Sequence, residues 1–249
     1  MEILNGYLAE LRTIHVTGAN TPETSFYPPL DRLLKVCGAD LKPRITCVLP
    51  LSNIGAGLPD GGFFSVAKSR QDQPTSGQSP ERGVLEAKPF KTNLDELAAS
   101  NQVFKYLQQY NQVLITNFRQ FRLLILQDGA VRVVERYSLA PSEAAFWTLT
   151  PTQLKVHENL FPDFLRRCLL RPAPLTDPKS LAWFLASYAR EARARAEEHP
   201  IGSFASLKSA LEDSLGIHFE GKKGRQLLPI HPRSGTLLWH LFRVGTLVA

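Results

Sequence analysis

Three side chains in this sequence have the types and spacing for one kind of chemistry. Asp60 follows Pro59 and opens a short apolar run, Gly61-Gly62-Phe63-Phe64, while Glu86 and Lys88 end the next such run, Gly83-Val84-Leu85-Glu86-Ala87-Lys88. Alternation along an extended strand sends Glu86 and Lys88 to the same side. With the two strands as neighbours, Asp60, Glu86 and Lys88 converge on a volume the size of a metal ion. Two carboxylates can hold Mg2+, or Mn2+, with positions left open for water and phosphate, and the Ala87 carbonyl offers a third oxygen. A lysine beside such an ion orients or deprotonates an attacking water and stabilises the charge that develops as a phosphodiester is hydrolysed. The expectation is a metal-dependent hydrolytic centre with Asp60, Glu86 and Lys88 catalytic and with Asp60, Glu86 and Ala87 as metal ligands.

Further polar residues fall where they can support that centre. Glu23 precedes a helix that starts near Pro28 or Pro29, since proline is tolerated in a first turn, and it can serve as an outer carboxylate. Gln102 and Tyr106 lie one turn apart on the helix after the Glu-x-Lys strand. Asn53–Gly57 has the glycines of a phosphate loop, but a strand-like run follows it and not a helix, so it reads as a tight turn beside the site.

The elements that must position these residues follow from periodicity. Apolar residues recur at helical spacing over 2–16, and strands are expected over 44–51, 60–67 and 83–88. A polar loop occupies 68–82, and Pro89 ends the third strand while holding Lys88 extended. One helix is expected over 94–110, capped by Thr92 or Asn93. Strands follow over 112–116, 121–126 and 131–134, turning at 117–120 and at the Asp128-Gly129 hairpin signal. Helices are expected over 142–170, 178–198 and 203–215, with Trp183, Phe184 and Tyr188 on the apolar side of the second. The fold class is thus α/β, a mixed central sheet flanked by helices, followed by an all-helical segment. The division is 1–140 for the α/β domain, 141–220 for a helical connector and 221–249 for an atypical tail.

Composition bounds the possibilities without selecting one. At 249 residues, with 43% hydrophobic and 21% charged, the chain is long enough and apolar enough to bury a core. Its net charge of +6 is compatible with a polyanionic partner, although the basic residues are spread along the chain. Three cysteines without C-x-x-C spacing argue against a disulfide framework or a zinc site and read as reduced thiols. With no signal-peptide pattern and no run near the roughly 18–20 apolar residues that cross a bilayer, a cytoplasmic protein without membrane association is expected.

Pro59-Asp60, Glu86-Ala87-Lys88 and Gln102-x-x-x-Tyr106 together resemble the PD-(D/E)XK nuclease superfamily, the last element being like that of its RecB-type members. Taken with Glu23-Thr-Ser-Phe-Tyr-Pro and Gly55-Ala-Gly-Leu-Pro-Asp-Gly-Gly-Phe-Phe, the run from Thr17 to about Asn117 resembles the N-terminal nuclease domain of bacterial restriction–modification proteins. In those proteins the nuclease precedes an adenine-specific DNA methyltransferase. The resemblance implies a restriction-endonuclease-like core acting on double-stranded DNA, with Asp60 and Glu86 as metal ligands, Lys88 catalytic and Glu23 the helix-borne acid. It also implies a methyltransferase domain or subunit as partner. Cutting both strands with a single site also calls for a homodimer or for two passes.

The sequence departs from that pattern at Pro89, and it carries no methylase motif. Its character changes near Gly224, which leads to the expectation of a truncated or frame-altered fusion protein. Two other classes compete with the endonuclease. One is a catalytically silent DNA-binding or assembly domain with the same fold. The other is a helical interaction scaffold, which accounts for 140–220 but leaves the acid–lysine group idle.

Overall fold

In a computed structural model, which describes residues 2–17, 23–51, 59–66, 74, 78–171 and 178–198, the apolar runs assemble into one mixed sheet. The chain opens with α1 (Glu2–Val16), then a 3₁₀ turn (Glu23–Phe26) that runs directly into α2 (Tyr27–Ala39). Next come β1 (Arg44–Val48), β2 (Gly61–Val66), β3 (Val84–Ala87), α3 (Leu94–Ala98) and α4 (Asn101–Gln109). β4 (Val113–Thr116), β5 (Gln120–Gln127) and β6 (Ala130–Ser138) complete the sheet, followed by α5 (Glu143–Trp147), α6 (Pro151–Leu170) and α7 (Pro178–Glu198).

The six strands lie in chain order, antiparallel throughout except for the β3–β4 pair, which is parallel. Antiparallel neighbours can be joined by a tight turn, and Asp128 and Gly129 make one between β5 and β6 with both φ angles positive (51° and 75°). A parallel pair needs a crossover, and α3 and α4 form it. They cover one face of the sheet, packing Leu94, Leu97, Val103, Tyr106 and Leu107 onto Val84, Val113, Ile115 and Leu124.

The helices α1, α2 and α6 belong to the opposite face. Phe121 of β5 and Tyr137 of β6 meet Phe161 of α6 with ring centroids 5.0 and 5.2 Å apart, and Tyr7 of α1 reaches the same ring. A bulge lets β6 feed both faces. Leu123 pairs with Glu135 and Leu124 with Val133, so Val134 is an extra residue that reverses the alternation. Tyr137 and Glu135 then face α6, while Val133 and Val131 pack on the α3–α4 side.

Two glycines permit close approach. A Cβ on Gly38 would stand 2.1 Å from the Ile45 carbonyl oxygen, so only glycine lets α2 lie this close to β1. Gly83, with φ +100°, leads into β3, and a Cβ there would meet the Gln112 carbonyl oxygen at 2.6 Å.

Several boundaries differ from those expected. The strand expected over 44–51 ends at Val48, ahead of the cis Leu49-Pro50 bond, and the strand expected over 131–134 extends to Ser138. The single helix expected over 94–110 is two. Asn93 caps the first by accepting from the Asp95 amide, and Ser100 interrupts it and caps the second by accepting from the Val103 amide. The helix expected over 142–170 is likewise two, restarted by a capping box between Thr150 and Gln153.

The chain divides into two compact units, Met1–Pro174 and Leu175–Ala249. Both α5 and α6, expected in a connector beginning at 141, lie in the first. α6 is tied to the sheet by the buried Arg167 guanidinium, which grips Glu135 of β6 with bonds of 3.1 and 3.0 Å. Gln112 Nε2 adds a second tie, lying 2.8, 2.9 and 2.7 Å from the carbonyls of Arg82, Cys168 and Arg171. Within the second unit, α7 buries Ala182 and Ser187, and Phe184 packs on Tyr188, which remains exposed. The glycine turn at 53–57, most of the 68–82 loop, the helix expected over 203–215 and the tail at 221–249 lie outside the described residues. No helix among the described residues is long and apolar enough to cross a membrane.

Gly83→Ala is expected to cost about 2 kcal/mol or more, because it combines a strained φ with a clash at the entry to β3. Urea unfolding measures it; a midpoint equal to wild type would mean that the backbone there relaxes freely.

Candidate functional site

The site forms where one ladder stops and the next continues. β2 and β3 pair only through Gly61↔Leu85 and Gly62↔Val84. Residues of β3 with odd numbers direct their backbone groups toward β2, as Gly83 does in accepting from the Phe63 amide at 2.9 Å. Even-numbered ones turn toward β4, where Val84 and Lys88 donate to the carbonyls of Gln112 and Thr116 at 3.1 and 2.9 Å. Ala87 therefore presents its backbone to the β2 side one step past the last ladder pair. There its amide donates to Asp60 Oδ2 at 2.8 Å. Asp60 is held from behind as well, because its carbonyl accepts from the Leu51 amide at 3.1 Å.

Pro89 fits this scheme. Its missing N–H falls on the β2 side, beyond the ladder, while Lys88 keeps its bond to β4.

Glu86 and Lys88 share the face of the sheet covered by α3 and α4. The Glu86 side chain is 1% exposed, and its Oε1 accepts from Lys88 Nζ at 2.5 Å and from Gln102 Nε2 at 2.8 Å. Gln102 also bonds the Tyr106 hydroxyl at 2.9 Å, so its two N–H groups fix the amide's orientation between Glu86 and Tyr106. Lys88 Nζ stands 4.0 Å from Asp60 Oδ2 and so lies between the two carboxylates. The other Glu86 oxygen, Oε2, is buried and has no hydrogen-bond partner. A buried carboxylate oxygen without a partner is costly and is where an electrophile would be bound.

Glu23 reaches the edge of this group from the 3₁₀ turn. Its Oε1 accepts from the Tyr27 hydroxyl at 3.0 Å, and Lys88 and Asp60 are near enough for their charges to act on it. The turn is anchored by Phe26, whose ring meets Phe90 at 5.2 Å and Phe118 at 5.5 Å. Phe90 is two residues past Lys88, so the Glu23 turn is packed directly on the segment leaving the site.

The electrostatics follow from three carboxyls and one ammonium in a half-buried space. Burial, then the charge of Asp60, push the Glu86 carboxyl up to about 7, with Lys88 opposing without cancelling. Burial also raises Glu23, against the pull of Tyr27 and Lys88. For Lys88, burial lowers the ammonium, but the hydrogen bond and charge of Glu86, with Asp60 and Glu23, outweigh it and leave the group above its usual value. The ammonium is thus charged across the physiological range.

All six candidate side chains, Asp60, Glu86, Lys88, Glu23, Gln102 and Tyr106, are brought together. One further residue joins them. Tyr27 donates to Glu23, and the charge of Asp60 acts on it. Its i, i+4 spacing from Glu23 across the helix start was the available signal.

Among the described residues no three side chains of His, Cys, Asp or Glu gather as a metal-ion site. The oxygens at the centre that could take a cation are those of the Asp60 and Glu86 carboxylates and the Ala87 carbonyl. That set suits Mg2+, which retains several of its waters and is commonly held by one or two carboxylates.

No protein-family model and no curated protein matches the chain. Among solved structures it is similar to a chain of the "cryoEM structure DrdV-DNA complex", at a TM-score of 0.40 and 16% identity. The alignment covers 85% of this chain and 18% of that one. A likeness at this level decides neither the function nor the details of the fold, and the site stands on its own geometry.

The raised Glu86 value makes stability depend on pH. Glu86 in the fold holds its proton to about 7, against 4.5 for an ordinary glutamate. Its stabilising contribution is full below the unfolded value and is lost as pH rises through about 7. The loss is on the order of 3 kcal/mol. Denaturation in EDTA at a series of pH values is expected to show this fall in wild type and a flatter profile in Glu86→Gln; parallel profiles would remove Glu86 as the source.

Proposed function

We propose that this chain is a metal-dependent DNA endonuclease module of the PD-(D/E)XK type, belonging to a restriction–modification system and hydrolysing phosphodiester bonds of double-stranded DNA. The observation that carries the reading is the convergence of Asp60, Glu86 and Lys88 around a buried, unpartnered Glu86 oxygen, with Gln102 and Tyr106 behind it. On this reading Asp60, Glu86 and the Ala87 carbonyl hold Mg2+ or Mn2+. Bound there, the cation would supply Lewis acidity at the phosphate and lower the pKa of an attacking water.

The chain's own residues have distinct parts. Gln102 occupies Glu86 Oε1, orients the carboxylate and leaves Oε2 to bind. Tyr106 accepts from the Gln102 amide and so helps to hold it over Glu86. The Ala87 amide fixes Asp60 in the same way. Lys88, charged and adjacent to both acids, stabilises negative charge as it builds on the phosphate oxygens. Its raised pKa favours this electrostatic part over proton abstraction. Glu23 stands as the outer carboxylate. A methyltransferase domain or subunit, and a second copy for cutting both strands, belong to the same reading.

Incubation with plasmid DNA and Mg2+ or Mn2+ tests it. Wild type is expected to nick or linearise the plasmid, and Asp60→Ala or Lys88→Ala to slow cleavage by about 100-fold or more. Cleavage indifferent to both substitutions ends the assignment. DNA binding without cleavage by any variant points instead to a silent DNA-binding or assembly domain.

A further inference from the structure

Among the described residues, Tyr27 is a polar side chain at the centre to which the proposed chemistry gives no part. Its hydroxyl donates to Glu23 Oε1 at 3.0 Å, and Asp60 is near enough for its charge to act on it. A phenol carries a single proton, and here Glu23 receives it. The hydroxyl thus holds Glu23, which comes from the 3₁₀ turn, at the edge of a centre to which Asp60 comes from the entry to β2.

The backbone around Tyr27 is held firmly. It is the first residue of α2, and Pro28 and Pro29 follow it in the first turn, where their fixed φ angles suit the helix. Phe26, immediately before it, is locked into the cluster with Phe90 and Phe118. The ring of Tyr27 is largely buried, 9% exposed, and reaches the centre at its hydroxyl end. Glu23 accepts from this hydroxyl, and the charged groups of the centre nearby are Asp60, which acts on Tyr27 itself, and Lys88, which acts on Glu23.

We propose that Tyr27 is a positioning residue of this centre, which holds the Glu23 carboxylate beside Asp60 and thereby tightens the site's grip on a divalent cation. The inference rests on the metal-centre reading above. Without the hydroxyl, Glu23 regains its rotamer freedom and must be ordered each time a cation binds. Outer partners that orient metal-binding groups typically alter affinity by about 10–100-fold, and the lower end is expected for a carboxylate that stands outside the donor set.

Mn2+ titration of the full chain, followed by electron paramagnetic resonance or calorimetry, tests this without reference to cleavage. Tyr27→Phe keeps the ring and removes the hydroxyl. It is expected to weaken Mn2+ binding about 10-fold while leaving the unfolding midpoint in EDTA nearly unchanged. Glu23→Gln is expected to weaken binding to a similar degree, and Tyr27→Phe added to Glu23→Gln to change it by less than about 2-fold, because coupled partners do not add. Wild-type affinity in Tyr27→Phe or in Glu23→Gln overturns the inference. So does a full further loss in the double variant, which would mean that Tyr27 acts by packing or through Asp60 alone. Asp60→Asn separates the two levels. If it abolishes Mn2+ binding while Tyr27→Phe has no effect, only the part given to Tyr27 falls. If wild type binds no Mn2+, or Asp60→Asn binds it as well as wild type, the metal centre falls and this inference with it.

Discussion

The hydrogen bond from the Ala87 amide to the Asp60 carboxylate is the constraint on which the site depends. It sits where the β2–β3 ladder has ended, at Gly61↔Leu85, and replaces the backbone pair that would have come next. A strand end normally gives up its next donor to water. Here a carboxylate takes it, so Asp60 is registered to β3 as firmly as a paired backbone group. Because Glu86 and Lys88 flank Ala87, the same bond sets the spacing of both acids and the lysine. The Leu51 amide on the Asp60 carbonyl closes the other side.

Gathering three carboxyls against one ammonium is unfavourable in a half-buried space, and the fold bears that cost through contacts away from the charges. Aromatic packing of Phe26, Phe90 and Phe118 fixes the turn that carries Glu23, and the Tyr7 hydroxyl bonds the Phe118 carbonyl at 2.9 Å behind it. On the other face, Val103, Tyr106 and Leu107 seat α4 on the sheet, which leaves Gln102 directed at Glu86. The charged groups are thus held by apolar neighbours and by neutral donors, and the cost of burying Glu86, with the charge of Asp60 added, is expressed as a raised Glu86 pKa.

How much of this was legible in the sequence varies with the range of the interaction. Strand alternation placed Glu86 and Lys88 on one face, and i, i+4 spacing placed Gln102 over Tyr106, because both are local rules. The Asp128-Gly129 turn was legible for the same reason. Convergence of Asp60 with Glu86 required the strands to be adjacent, which alternation cannot decide. The break between α3 and α4 was missed although the apolar positions change phase there, from Leu94, Leu97 and Ala98 to Val103, Tyr106 and Leu107, because Ser100 is a cap only if the chain turns at it. Residues 151–170 read as part of a separate helical segment because their partners, Glu135, Phe121 and Tyr137, lie on strands far back in the chain. Tyr27 was passed over because its bond to Glu23 looks like ordinary helix-start chemistry until Asp60 arrives from the sheet.

The single parallel pair in an otherwise antiparallel sheet explains why the supporting residues come from α4. Had β4 paired antiparallel with β3, a short turn after Lys88 would have sufficed, and no element would lie over Glu86. Parallel pairing forces the chain back across the sheet, and the return path is the α3–α4 crossover. Ser100 divides that path into α3 and α4, both of which pack on β4 and β5, while Gln102 at the start of α4 reaches Glu86 of β3. The topology that makes the sheet mixed is therefore the same feature that encloses the Glu86 carboxylate.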